Sequence, residues 1–124
     1  MEPIKRLWQK PSNLTGYGAE FYKRVGKQLL SVGVLTELDR ESFAALAGAF
    51  HLMQASLDAV NESGVNVRGS QDEVKKNPAL TTYKNASDIY HRLSRKFFLT
   101  PGDREGVKIE KPKQADNGKG KFFD

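Results

Sequence analysis

Two histidines and a short run of acids are the side chains of this chain that could support metal or acid–base chemistry. His51 and His91 lie on separate predicted helices, and neither has a second imidazole or a cysteine near it in sequence to complete a metal site. Glu37, Asp39 and Glu41 lie where a helix begins, and the dipole of that helix already favours acids there. We therefore expect no catalytic residue, no metal ligand and no cofactor.

The stretch Gly118-Lys119-Gly120-Lys121 resembles a phosphate-binding loop only in part. It lacks the upstream glycine, the serine or threonine after the lysine, and the helix that such a loop opens. The chain also has no cysteine, which excludes disulfides and thiolate chemistry. Because no nucleophile, base and orienting group can be assembled from this inventory, we expect a protein that is not an enzyme.

The chemistry that remains is electrostatic contact with phosphate. The net charge is +5, and the charges are segregated: residues 35–62 hold one base and five acids, while residues 1–34 and 78–100 are mainly basic. Basic side chains of this kind neutralise phosphates and position a duplex without reading its bases. For any one of them the ordinary alternative is a solvated helix face. The candidates for DNA contact are Lys5, Arg6, Lys10, Lys23, Arg24, Lys27, Lys84, Arg92, Arg95 and Lys96.

Three helices are predicted to position these side chains. The first runs from a cap at Thr15 to Gly33, and the second starts at a shortened capping box, Thr36 with Asp39. The third starts at Asn77-Pro78 and runs to about residue 98. The Gly33–Asp39 junction is short, but nothing near it has the pattern of a recognition helix, so the sequence locates no base readout.

The long second helix has the clearest apolar periodicity, with steps of three and four residues that form a heptad-like seam. Alanines surround this seam, so the helix is expected to pack on both sides and another helix is able to approach it closely. Long seams offer more packing surface than a small helical domain covers by itself, which favours self-association. The predicted oligomer interface is Phe43, Leu46, Phe50, Met53, Leu57, Tyr83 and Tyr90.

The length of 124 residues fits one domain with tails. We expect a flexible basic arm at residues 1–13, a helical domain at 14–105 and a disordered basic tail at 106–124. Residues 64–76 are predicted to be a surface loop, and Thr100–Asp103 a last short turn. No signal peptide is apparent and no stretch approaches the length needed to span a bilayer, so the sequence predicts a soluble protein of the cytoplasm.

Several of these signals, in this order, resemble the small terminase subunit of tailed double-stranded DNA phages, in the family called terminase 4. The resemblance covers about residues 11–105. Its elements are Pro11, the aromatic Tyr22, Gly33-Val34-Leu35-Thr36 with Asp39, the alanine-rich helix 37–62, the glycine-bearing loop 64–69, Asn77-Pro78-Ala79-Leu80 and Leu99-Thr100-Pro101. Tyr22 stands where tryptophan is common in the family, and the arm and the tail lie outside the pattern.

The resemblance implies an all-α domain that assembles into a ring-shaped homo-oligomer. It implies binding of viral double-stranded DNA at the packaging start site, and recruitment and regulation of the large terminase subunit, an ATPase and nuclease. The location implied is the host cytoplasm, without a membrane partner. Phe122 and Phe123 near the end of the tail are candidates for contact with the large subunit by folding on binding. A plain unstructured terminus is the other interpretation.

The sequence leaves one alternative function open. The chain is then a helical interaction or regulatory module that binds no DNA, and its acidic and basic faces complement each other between subunits. Charge reversal at Arg92 and Arg95 separates the two functions, because it breaks assembly in the module and DNA retention in the terminase subunit.

Overall fold

The computed structural model describes residues 1–105 of the chain. Its elements in order are α1 (Gly16–Val32), a 3-10 turn (Glu37–Asp39), α2 (Arg40–Ser63), β1 (Asn66–Arg68), β2 (Val74–Lys76), α3 (Pro78–Lys96) and α4 (Pro101–Glu105). The predicted helical domain with a long central helix is therefore confirmed. The predicted tail at 106–124 lies outside the described residues.

The helices begin and end close to the predicted capping residues. Gly33 has a left-handed backbone with φ of 74°, and its N–H donates to the carbonyls of Leu29 and Leu30. The backbone N–H of Thr36 donates to the Asp39 carboxylate at 2.8 Å, which is the reciprocal half of a capping box. The glycine ends α1 and this pair organises the turn into α2, so only a short junction separates the two helices.

Asn77 both starts α3 and closes the loop before it. Its side-chain oxygen accepts the Ala79 N–H at 3.0 Å, while its amide nitrogen donates to the Gly64 carbonyl at 2.8 Å. Its own N–H donates to Val65 at 2.8 Å. One buried asparagine therefore fixes the end of α2 to the beginning of α3.

Helix α2 is the central element and packs against both α1 and α3. Aromatic rings join the three helices: Phe21 of α1 stacks on Phe50 at 4.6 Å between centroids and meets Tyr90 of α3 edge-on at 6.0 Å. Phe43 lies against Tyr22 at 5.0 Å and against Phe97 at 5.7 Å. These pairs show that α1 and α3 run in one direction and α2 in the other.

The first thirteen residues, predicted to be a flexible arm, instead lie along the helical domain. We call residues 1–13 the strap. The Ile4 N–H donates to Leu35 at 2.9 Å, and a Cβ placed on Gly26 of α1 would lie 2.7 Å from Leu7. Trp8 packs on Phe43 at 6.5 Å between ring centroids. The strap is not helical, and it contacts the core through separate apolar side chains that lie over glycine and aromatic residues.

Residues 64–76, predicted to be a surface loop, form a β-hairpin. Strands β1 and β2 are antiparallel, with Val67 opposite Lys75 at the centre of the register. The N–H of Gly69 donates to Glu73 at 2.7 Å and closes the turn. In the sequence, Val65 and Val67 among polar neighbours give only a weak alternating pattern. In the structure, Asn77 holds the end of α2 and the start of α3 together, and this brings the two strands side by side.

Two residues of the predicted oligomer interface are unavailable to a second copy. Phe43 and Leu46 are 0% exposed, because α1 and α3 already enclose them. Phe50, Met53, Tyr83 and Tyr90 are half-buried, and Leu57 is 41% exposed. That part of the prediction was wrong because the seam of α2 is mainly the core of one chain.

The expectation that no segment has the length and composition to span a bilayer was also wrong. The helical segment Glu37–Ser63 covers 27 residues with a mean hydropathy of 1.2, which is long and apolar enough by these two criteria alone. Core helices of soluble proteins pass the same criteria. Here α2 packs between two other helices, and its alanines account for much of the hydropathy.

Candidate nucleic-acid interface

The structure brings two of the predicted basic sets together on one side of the molecule. Lys23 and Lys27 are exposed on α1, one turn apart, and flank Gly26 on the helix surface. Leu7 of the strap packs on Gly26, and Lys5 and Arg6 immediately precede it with exposed side chains. The strap therefore lies on α1 and carries its two exposed cations along that helix, although the sequence predicted that the arm would be flexible.

Three of the predicted DNA contacts already have partners within the chain. The Lys10 ammonium donates to the carbonyls of Leu14 at 2.7 Å and Pro11 at 3.1 Å, and so holds the turn before α1. Arg24 pairs with Glu20 at 2.9 Å and Lys84 pairs with Asp88 at 3.7 Å, each one helical turn apart. Arg24 and Lys84 stay exposed and exchangeable, whereas Lys10 is a structural residue.

A second basic set lies on the last turns of α3. Arg92, Arg95 and Lys96 are exposed, and no acid among residues 1–104 lies within 4 Å of their charged groups. Cations at the carboxyl end of a helix also interact favourably with its dipole, so Arg95 and Lys96 have a structural reason to be there. The set remains open to an anionic partner.

Arg24 of α1 lies close to the aromatic contact between α1 and α3. Its guanidinium lies 5.9 Å from the centre of the Phe21 ring, and Phe21 packs against Tyr90 of α3. Burial raises the pKa of Tyr90, and the nearby Arg24 partly opposes that rise. Burial likewise raises the pKa of Tyr22, opposed by Arg40. Both phenols are therefore uncharged at neutral pH.

Sequence reasoning missed the basic residues of the hairpin. Arg68, Lys75 and Lys76 are all exposed on the two strands. Arg68 pairs with Asp72 at 3.1 Å, and Glu73 adds a second acid at the turn. Three bases within nine residues were the available signal, but the accompanying acids and the interpretation as a loop obscured it.

The two histidines have structural partners. His51 Nδ1 of α2 accepts the Gly18 N–H at 3.1 Å and shares this donor with the Thr15 carbonyl, also at 3.1 Å, in the first turn of α1. The Nδ1 atom of His91 lies 2.8 Å from the Ser87 carbonyl on its own helix. Among the side chains that the structure describes, residues 1–104, no three histidine, aspartate or glutamate residues are grouped as metal ligands. The exposed cations of the strap, α1 and α3 are the groups that could contact phosphate.

The predicted contact with a large subunit falls in the tail. Phe122 and Phe123, proposed for contact with a large subunit, lie outside the described residues. Among the predicted DNA contacts, Lys5, Arg6, Lys23 and Lys27 lie on the strap and α1, and α3 carries a separate set.

Comparison with known proteins assigns the chain to a family. The family model described as phage terminase, small subunit, matches residues 18–114, which is most of the 124-residue chain. The match begins in the first turn of α1 and includes all of α2, the hairpin and α3. No curated protein and no solved structure matches the chain at a significant level. The chain belongs to the phage terminase small subunit family.

Proposed function

We propose that this protein is the DNA-recognition partner of a phage packaging motor. It binds viral double-stranded DNA at the packaging start site, delivers it to the large terminase subunit and regulates that ATPase and nuclease. It works as a ring-shaped homo-oligomer in the host cytoplasm and performs no catalysis itself. Membership of the small-subunit family supports the general role.

One observation carries the DNA-binding part of the proposal. The strap and α1 present Lys5, Arg6, Lys23 and Lys27 in one region, while the acids of residues 35–62 lie on a different element. A surface polarised in this way attracts a duplex to one side of the protein. The contacts are to phosphates, so affinity is high for duplex DNA in general and depends strongly on salt.

The test is a binding titration of a fluorescent duplex at several salt concentrations. For the double variant K23E/K27E we expect weaker binding and a slope of log K against log salt that is smaller by about two, since each lost phosphate contact contributes about 0.9. The variant K75E/K76E, which changes the net charge equally on the hairpin, is the matched control.

Three outcomes are distinguishable. A loss confined to K23E/K27E supports the interface on the strap and α1. An equal loss in both variants shows that only net charge matters. Wild-type protein that fails to bind duplex DNA at low salt, while R92E/R95E disrupts its assembly, contradicts the proposal and favours the interaction module without DNA binding.

A further inference from the structure

The strap is fixed to the helical domain near each of its ends. Close to its beginning, the Ile4 N–H donates to the Leu35 carbonyl at 2.9 Å. Close to its end, the Lys10 ammonium donates to the Leu14 carbonyl at 2.7 Å. The two strap cations of the proposed DNA interface lie between these two hydrogen bonds. The contacts that hold the chain between them therefore determine where these cations lie.

The strap is held in this middle stretch by apolar packing. Leu7 is half-buried over Gly26 of α1, and Trp8 packs on Phe43 at 6.5 Å between ring centroids. The indole N–H of Trp8 is buried and has no hydrogen-bond acceptor among the residues that the structure describes. Because a buried donor without an acceptor is unfavourable, this N–H does not hold the strap in place. The favourable contacts are the Leu7 side chain and the Trp8 ring.

Gly26 accommodates Leu7 through the side chain that it lacks. A glycine in the interior of a helix is destabilising relative to alanine. A Cβ on Gly26 would lie 2.7 Å from one methyl group of Leu7 and 3.1 Å from the other. Helix α1 is therefore less stable than it would be with alanine at this position, and the strap fills the space that the glycine leaves.

This contact joins the two parts of the proposed DNA interface. Lys5 and Arg6 immediately precede Leu7 in the strap, and their side chains are exposed. On α1, Gly26 lies between the two exposed lysines that the proposed interface includes. A segment that is already in place loses less conformational entropy when it contacts a partner than one that must first be ordered.

We infer that Leu7 and Gly26 are positioning residues for DNA binding, because their contact holds Lys5 and Arg6 on α1 before a duplex arrives. The inference rests on the proposed function and assigns the contact that makes its interface preformed. Leu7 and Gly26 act through the two cations and do not themselves contact the duplex. When their contact is lost, the strap has to be ordered on binding, and its phosphate contacts add less to the affinity.

The first test is a double-mutant cycle measured by titration of a fluorescent duplex at moderate salt. We expect Leu7→Asn to weaken binding about tenfold in the wild-type protein but less than about twofold in K5A/R6A, where the cations it acts through are already absent. A general loss of stability would instead lower the affinity equally in both backgrounds.

Two control variants separate this contact from a mere change of leucine. Leu38→Asn makes the same change at a leucine that is 74% exposed, so it should bind the duplex like the wild type. Leu7→Met keeps an apolar side chain of similar volume over Gly26 and should also retain binding.

The second test approaches the contact from α1. Gly26→Ala favours the helix but places a methyl group where Leu7 packs. Trp8 is the only tryptophan of the chain, so its fluorescence reports the strap alone. We expect Gly26→Ala to shift the Trp8 emission to longer wavelength and to weaken duplex binding, while the circular dichroism of the helices does not fall.

The outcomes separate this inference from the proposed function. Wild-type affinity in Leu7→Asn, or an equal loss in the two backgrounds of the cycle, overturns the inference while the interface on the strap and α1 stands. Wild-type affinity and emission in Gly26→Ala overturn the role of the glycine. A wild-type protein that does not bind duplex DNA at low salt overturns the proposed function itself.

Discussion

At the scale of single residues, His51 is the clearest example of a side chain whose role is visible only in three dimensions. Its Nδ1 accepts the Gly18 N–H at 3.1 Å, a donor near the start of α1 that is shared with the Thr15 carbonyl at the same distance. We expect His51→Ala to lower the free energy of unfolding by about 1 kcal/mol, since one neutral hydrogen bond between helices is lost. Thermal unfolding measures this.

The control for that variant is His91→Ala. His91 is exposed and its contacts are to its own helix, so the expected change is within about 0.5 kcal/mol of zero. Equal losses in the two variants would show that the bond from His51 to α1 contributes nothing specific.

The raised pKa values of three tyrosines predict how the stability of the fold changes at alkaline pH. Burial raises the pKa of Tyr22 and of Tyr90 above 10.0, and a hydrogen bond to Asp58 raises that of Tyr17. The folded chain therefore keeps these phenols neutral where the unfolded chain ionises them. Their contribution to stability is complete below pH 10 and is lost as pH rises through the folded values.

Melting temperatures measured between pH 8 and pH 11.5 test this prediction. The wild type is expected to lose stability above pH 10, and Y22F/Y90F to lose less over the same range. A double variant with the same alkaline slope as the wild type would exclude burial of these phenols as the cause.

At the scale of elements, Asn77 determines how α3 begins. It caps α3 through Ala79 and holds the carbonyl of Gly64 at the end of α2. We expect Asn77→Ala to cost about 1–2 kcal/mol of unfolding free energy. Asn77→Asp keeps the acceptor and loses the donor, so its loss should be intermediate. Asn85→Ala, exposed in the interior of α3, is the control and should not destabilise.

The strap makes a second prediction at this scale. Leu7 fills the space over Gly26, so Leu7→Ala should lower the free energy of unfolding by about 1.5 kcal/mol, whereas the exposed Lys5→Ala should change it little. Chemical denaturation measures both. A flexible arm, as the sequence alone predicts, would give no loss for Leu7→Ala.

The two errors at this scale share a physical cause. The helix ends were predictable because Gly33 and Asn77 act on their own neighbours in sequence. The strap and the hairpin depend instead on distant partners: Leu7 needs the missing side chain of Gly26, and the strands need two helix ends already held together. Local patterns contain no information about such partners.

At the scale of the whole molecule, the apolar seam of α2 could be identified from sequence but not divided between core and interface. Phe43 and Leu46 belong to the core because α1 and α3 both reach them, while Leu52 and Gly48 face outward on the same helix. Which sides of α2 the other two helices cover depends on the angles at which all three helices cross. For the candidate site, the basic residues were predictable from charge, but Lys10 proved to hold a turn.

The most direct test of the account is the native mass of the purified protein, measured by light scattering on a sizing column at moderate salt, alone and with a short duplex DNA. The account predicts one large, defined oligomer that carries the duplex with it through the column. A monomer at high protein concentration that leaves the duplex in its own peak would contradict it.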